Sequence, residues 1–197
     1  MSEQQIETHP LPPFLPINAQ LLMLGSFPPP QSKWKMDFYY PNFQNDMWRI
    51  MGLLFFQDKN QFLDLTNKQF KLTEIKAFLE YYGIAIYDTA YQVIRQKGNA
   101  SDQFLEVVTP SPLIEILEKI PACHSIMTTG EKATNTLMLN FSPDTPKPTL
   151  NQASQAQLKQ KALQLYRLPS SSRAYPLALE KKAECYAEFF RNIGMLN

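Results

Sequence analysis

Apolar residues in this chain alternate between short unbroken runs and longer stretches in which they recur every three or four positions. "AQLLMLGS" (19–26), "GIAIYDTA" (83–90), "CHSIMTTG" (123–130) and "LQLYRLPSSS" (163–172) are runs of the first kind, each breaking at small or polar residues. Such runs predict strands buried on both faces of a parallel sheet. Helical spacing appears in "NDMWRIMGLLF", "KLTEIKAFLEYYG", "PSPLIEILEKI", "EKATNTLMLNF" and "YPLALEKKAECYAEFFRNIG". Trp48, Met51 and Phe55 fall on one face of the first helix and are read as core. Gly83 is placed to cap the second, and Thr109 or Ser111 to open the third. Strands alternating with helices predict an α/β fold with a parallel sheet covered on both faces, reached by right-handed crossovers.

Residues 1–18 are polar and proline-rich, an arm expected to dock loosely ahead of a single domain spanning 19–197. The stretch 142–161 combines prolines with a polar run and is expected to be a surface excursion before the last strand. No internal repeat divides the domain.

Composition narrows the chemistry. With 44% hydrophobic and 19% charged residues the chain is globular, and its length of 197 residues suits one core. A net charge of +1 supplies no basic field, so contact with a nucleic acid would have to rely on a local rim. Cys123, Cys185, His9 and His124 are too few to build a disulfide framework, a zinc site or an iron–sulfur cluster, so no metal or cofactor is expected. The N-terminus lacks a basic start followed by an apolar run, and no later run has the length of a membrane span. A cytoplasmic protein without a membrane partner is the expectation.

Sites in doubly wound sheets lie beyond the carboxyl ends of the strands, here "GSFPPP", "DTAYQ", "TTGEK" and "LPSSSRA". The first strand-to-helix connection, 27–44, is much longer than such links usually are and carries its own aromatics, which suits a loop that builds a site. Phe38, Tyr39 and Tyr40 are hard to bury together and offer a stacking surface for a flat ligand. Asn45 opens the following helix, where a capping role and an amide facing the cleft are compatible. Asp88 suits a cap or scaffold better than a catalytic carboxylate, and remains a secondary candidate. "TTGEKA" lacks the full phosphate-loop pattern and reads as a strand turning into a helix at Gly130. "LPSSSRA" offers three hydroxyls and a cation, with no G-x-S-x-G elbow around them.

Taken in order, "LMLGSFP", "FYYPNFQNDMW", "GIAIYD", "TTGEKA" and "LPSSSRA" resemble the uracil-DNA glycosylase superfamily, nearest to its mismatch and hypoxanthine-type branch. The resemblance implies a monomeric three-layer α/β/α sandwich around a four-stranded parallel sheet. It also implies hydrolysis of the N-glycosidic bond of a deaminated base, uracil or hypoxanthine, flipped from DNA, with no metal or cofactor. In better-known branches a water-positioning Asp or Asn stands two residues after the glycine of the first motif, where this chain has Phe27. The hypoxanthine-type branch also lacks it and places an Asn before the Trp-containing helix. Matching N-x-x-W selects Asn45 as the catalytic residue; the absence of His-Pro ahead of it, with "PNFQN" instead, leaves Asn42 competing.

By the same resemblance Tyr40 stacks on the base. Gly25, Ser26 and Phe27 line its pocket, with backbone N–H groups facing the charge that develops on it. Ser170, Ser171 and Ser172 bind phosphates, and Arg173 inserts into the duplex or neutralises charge. The usual His or Asn is missing from this last motif, which implies an unusual base preference. Two other functions fit the residues less closely: a nucleic-acid-binding protein that has lost catalysis, and a small-molecule hydrolase on the same scaffold.

Overall fold

The computed structural model describes residues 5–96, 104–150 and 152–197. In chain order its strands are β1 (Ile6–Thr8), β2 (Leu21–Gly25), β3 (Leu63–Asp64), β4 (Gln69–Phe70), β5 (Ile84–Asp88), β6 (Ala90–Arg95), β7 (Leu105–Pro110), β8 (Ser125–Thr129), β9 (Ser154–Leu158) and β10 (Lys161–Leu168). The helices are α1 (Met47–Phe56), α2 (Leu72–Tyr82), α3 (Leu113–Lys119), α4 (Glu131–Met138) and α5 (Leu179–Asn192).

The central sheet runs β5-β2-β8-β10-β9. The first four strands are mutually parallel, and every residue of β2 and β5 is buried, as continuous apolar runs require when both faces are covered. From β2 the chain passes through α1 and α2 to β5 on one side; from β5 it returns through α3 to β8, and through α4 to β10. Right-handed crossovers in opposite directions place these two groups of helices on opposite faces. Phe55 of α1 packs its ring on Phe78 and Tyr82 of α2 and on Phe190 of α5, which joins α5 to the first layer. Trp48 and Met51 are fully buried, as the helical spacing predicts.

The expected four-stranded sheet needs correcting. A fifth strand, β9, lies antiparallel on β10 and arises within 142–161, the stretch expected to be a surface excursion. Its inward residues are only Ser154 and Ala156, between exposed glutamines, so the alternation carries almost no hydrophobic signal. Lys159, at φ 53°, makes the left-handed step of the hairpin. A second, three-stranded antiparallel sheet, β1-β6-β7, flanks the first. It also corrects the expectation of a loosely docked arm: β1 pairs with β6, Phe14 bridges to Ile86, and His9 is buried.

Gly83 caps α2 as expected, with φ 66° and its N–H directed to the carbonyls of Leu79 and Glu80. Neither Thr109 nor Ser111 caps α3. The Thr109 hydroxyl donates to Gln92 Oε1 at 2.8 Å and the Ser111 hydroxyl to the Asp88 carbonyl at 2.7 Å, so both tie β7 and its exit back to the β5–β6 corner. Among the described residues no helix is long and apolar enough to cross a membrane, and no cluster of three or more His, Cys, Asp or Glu could hold a metal ion.

Candidate active site

Parallel pairing places Gly25 of β2 opposite Asp88 of β5, and Thr129 of β8 opposite Leu168 of β10. Four carboxyl ends thus finish at one level, and above them opens a pocket of about 120 Å³. Gly25, Ser26, Phe27, Tyr40, Asn42, Asn45, Asp88 and Ser170 to Ser172 all line it. Of the candidate site residues and rings read from the sequence, Phe38 and Arg173 lie outside its lining.

The floor exists because residue 25 has no side chain. A Cβ there would stand 2.5 Å from Asp88 Oδ1 and 3.2 Å from the Tyr40 hydroxyl oxygen. Gly25→Ala is expected to push the carboxylate and the phenol apart, costing about 1–3 kcal/mol in urea denaturation and closing the pocket floor. An unchanged denaturation midpoint would show that the contact relaxes freely.

Tyr40 is held in a backbone conformation rarely adopted outside glycine, φ 52°, and its hydroxyl lies 3.1 Å from Thr129 Oγ1. Strain of this kind needs surrounding structure to impose it, and it collects at functional sites. Phe38 and Tyr39 correct the expectation of a three-ring exposed surface. Both are core residues, and the Tyr39 hydroxyl donates to the Pro12 carbonyl at 2.8 Å. Burial, with Asp88 nearby, pushes the Tyr39 phenol far above its usual range and the Tyr87 phenol up to about 12, so neither serves as an acid or base near neutrality.

Asn45 stands one residue ahead of Asp46, the N-cap of α1. The Asn45 Oδ1 accepts the Met47 N–H at 2.9 Å, an assignment dictated by the donor, while the residue lines the pocket. Arg49 donates through Nη1 to the carbonyls of Phe43 (2.7 Å) and Asn45 (3.0 Å), which braces the turn just ahead of the helix. Asn42 lines the same wall, and its Oδ1 accepts the Gln44 N–H at 3.0 Å. Phe27 is buried, with its ring 5.8 Å from the Arg95 guanidinium, and no water-holding group stands at that position.

The serine loop is tied to the start of α1. The Asp46 N–H donates to the Ser171 carbonyl at 2.9 Å, and Lys182 donates through Nζ to the Ser172 carbonyl at 2.8 Å and to Asp46 Oδ2 at 3.0 Å. Ser170 and Ser172 turn their hydroxyl oxygens onto the loop's own N–H groups, those of Ser172 and Ala174. Arg173, half exposed, directs Nε to Asp46 Oδ1 at 3.3 Å. Sequence reasoning missed Lys182, Arg49, Thr129 and above all His9, whose Nε2 lies 2.8 Å from Asp88 Oδ2. A histidine within the proline-rich "THPLPP" was the only available signal, and an arm expected to be loose concealed it.

No protein-family model and no curated protein sequence matches the chain. Its structure is similar to the solution NMR structure of a "putative Uracil DNA glycosylase" from Methanosarcina acetivorans, with a TM-score of 0.60, 21% identity, and coverage of 95% of this chain and 98% of that one. The two chains share one fold. The resemblance noted in the sequence is therefore borne out at the level of the architecture, across nearly the whole length of both proteins.

Proposed function

We propose that this protein is a monofunctional DNA glycosylase of base excision repair, of the mismatch and hypoxanthine-type branch, that hydrolyses the N-glycosidic bond of uracil or hypoxanthine flipped out of DNA. The observation that carries the proposal is the convergence of Asn45, Asp88, Tyr40 and the three serines on one pocket beyond the strand ends. A pocket open to the surface beyond the strand ends suits a base that has left the stack, because its target bond is out of reach inside a duplex. The Tyr40 ring supplies the face for stacking, and the amide of Asn45 positions the attacking water. The N–H groups around Ser26 and Phe27 face the charge moving onto the departing base. Ser170, Ser171, Ser172 and Arg173 form the rim that grips phosphates, Arg173 leaving Asp46 when the backbone arrives. Asn42 is the competing water-positioning residue, and no metal enters any step.

The test is an excision assay on duplexes carrying one uracil, hypoxanthine, xanthine or thymine mismatch, followed by alkali to cleave abasic sites. The expected result is cleavage with uracil or hypoxanthine, unaffected by EDTA. Phe27 favours a second reading, a binder that has lost catalysis; duplex binding without cleavage on any base would establish it. Affinity should fall steeply with salt in either case, whereas a small-molecule hydrolase would show a shallow slope.

A further inference from the structure

The N-terminal arm delivers a histidine behind the wall of the pocket, against its lining residues Phe27, Tyr39 and Asp88, and no step proposed above uses it. His9 follows β1, which is anchored to β6, and its side chain is fully buried. The ring is clamped among Phe27 (centroids 5.3 Å apart), Tyr87 (4.6 Å) and Tyr39 (6.0 Å). Nε2 lies 2.8 Å from Asp88 Oδ2, and Nδ1 lies 3.0 Å from the Leu11 carbonyl and 3.2 Å from the Leu11 N–H. The carboxylate is therefore divided. Oδ2 faces the histidine, whereas Oδ1 lies over Gly25, the side on which Tyr40 and the pocket stand. A proton shared between Nε2 and Oδ2 commits that oxygen, and Oδ1 is left with lone pairs alone.

We propose that His9 is a positioning residue of the base pocket, holding Asp88 so that Oδ1 meets the flipped base only as a hydrogen-bond acceptor and the site selects bases that present a ring N–H. This inference rests on the proposed glycosylase activity and adds the polarity of its recognition. Deamination makes the distinction chemical. Cytosine and adenine carry a bare ring nitrogen beside their amine, whereas uracil and hypoxanthine carry a ring N–H beside a carbonyl. An acceptor-only oxygen facing that nitrogen bonds the deaminated base and repels its parent. A pocket built for such a bond rejects partners that lack the donor far more strongly than a hydrophobic wall rejects a change of shape.

Excision would be measured on duplexes bearing uracil or 3-methyluracil, which lacks the ring N–H, with wild type, His9→Gln, His9→Phe, Asp88→Asn and the His9→Phe/Asp88→Asn pair. Wild type is expected to cleave at uracil and to spare 3-methyluracil. His9→Phe is expected to lower the uracil rate by on the order of tenfold to a hundredfold, and His9→Gln, which keeps a donor toward Oδ2, to restore most of it. In the Asp88→Asn background His9→Phe should cost little more, because the carboxylate it positions is gone. Equal losses from His9→Phe in both backgrounds would mark a purely structural histidine and overturn the proposal, as would equal cleavage of uracil and 3-methyluracil. Wild type inactive on every base would instead defeat the glycosylase activity. Binding of free uracil against free 3-methyluracil by NMR, in wild type and His9→Phe, would then decide the inference: discrimination lost with His9 supports it, and no discrimination in wild type overturns it.

Discussion

Asp46→Ala is expected to remove about 3–5 kcal/mol of folding stability, the cost of stripping one partner from a buried ion pair. Lys182 is 0% exposed and Asp46 5% exposed, so neither charge is compensated by water. With Asp46 gone, the Lys182 ammonium retains, among the described residues, the Ser172 carbonyl at 2.8 Å as its hydrogen-bond acceptor. Lys182→Met should cost less, since Arg173 still stands 3.3 Å from Asp46 and can swing fully onto it. Replacing both with apolar residues of similar volume should recover much of the loss, because the desolvation of both charges is then avoided. Urea denaturation of the two single variants and the pair measures all three values. Equal losses in the two single variants would show that Arg173 does not take over. The same contacts bind the serine loop to the start of α1, so Asp46→Ala should also lower excision under conditions where the variant remains folded.

Among the described residues, the four parallel strands and most of the helices were legible because they carry their period in apolar residues; α4, which buries Thr134 and Thr136 beside Ala133 and Leu137, carries it more weakly. Burial on both faces leaves β2 and β5 no polar position to confuse the pattern. β9 was not legible for the opposite reason: an antiparallel edge strand with one wet face can use Ser154 and Ala156 inside and glutamines outside. β1 is stabilised by pairing with β6, and β6 by pairing with both β1 and β7, a property of the partner strands rather than of either segment.

The site followed the same division. Strand-end residues could be placed together from the topological rule alone, since parallel strands must finish at one edge. Tyr40 came from the excess length of the first connection, whereas Asn42 and the catalytic assignment of Asn45 came only from the family resemblance. His9 and Lys182 could not be found this way. They reach Asp88 and Asp46 across 79 and 136 positions of chain, and an isolated histidine or lysine has no periodic signature. The aromatic cluster also misled in an instructive manner, because Phe38 and Tyr39 are buried in the core, Tyr39 reaching only the pocket lining, while Tyr40, at the left-handed turn, is the ring left partly exposed there.

Asn45→Ala is expected to slow excision by about a hundredfold to a thousandfold, the loss of roughly 3–4 kcal/mol from the transition state. An amide near neutral pH takes no proton from water, so its contribution is to hold the nucleophile in line with the sugar as the base departs. Met47 makes this placement rigid: its N–H occupies one lone pair of Oδ1 and leaves the other, together with Nδ2, for the pocket side. Removing the amide also removes the hydrogen bond to the Met47 N–H at the start of α1, at a cost of about 1 kcal/mol in stability. The companion variant Asn45→Asp separates the two effects, because a carboxylate keeps both that hydrogen bond and an acceptor for water. It should fold like the parent and retain excision within about tenfold of it, the difference between an amide and a carboxylate that can also receive a proton. Loss of excision in Asn45→Ala with near-parental turnover in Asn45→Asp would place the water at residue 45. Parental turnover in Asn45→Ala, with a large loss in Asn42→Ala, would move it one turn of chain upstream on the same wall of the pocket.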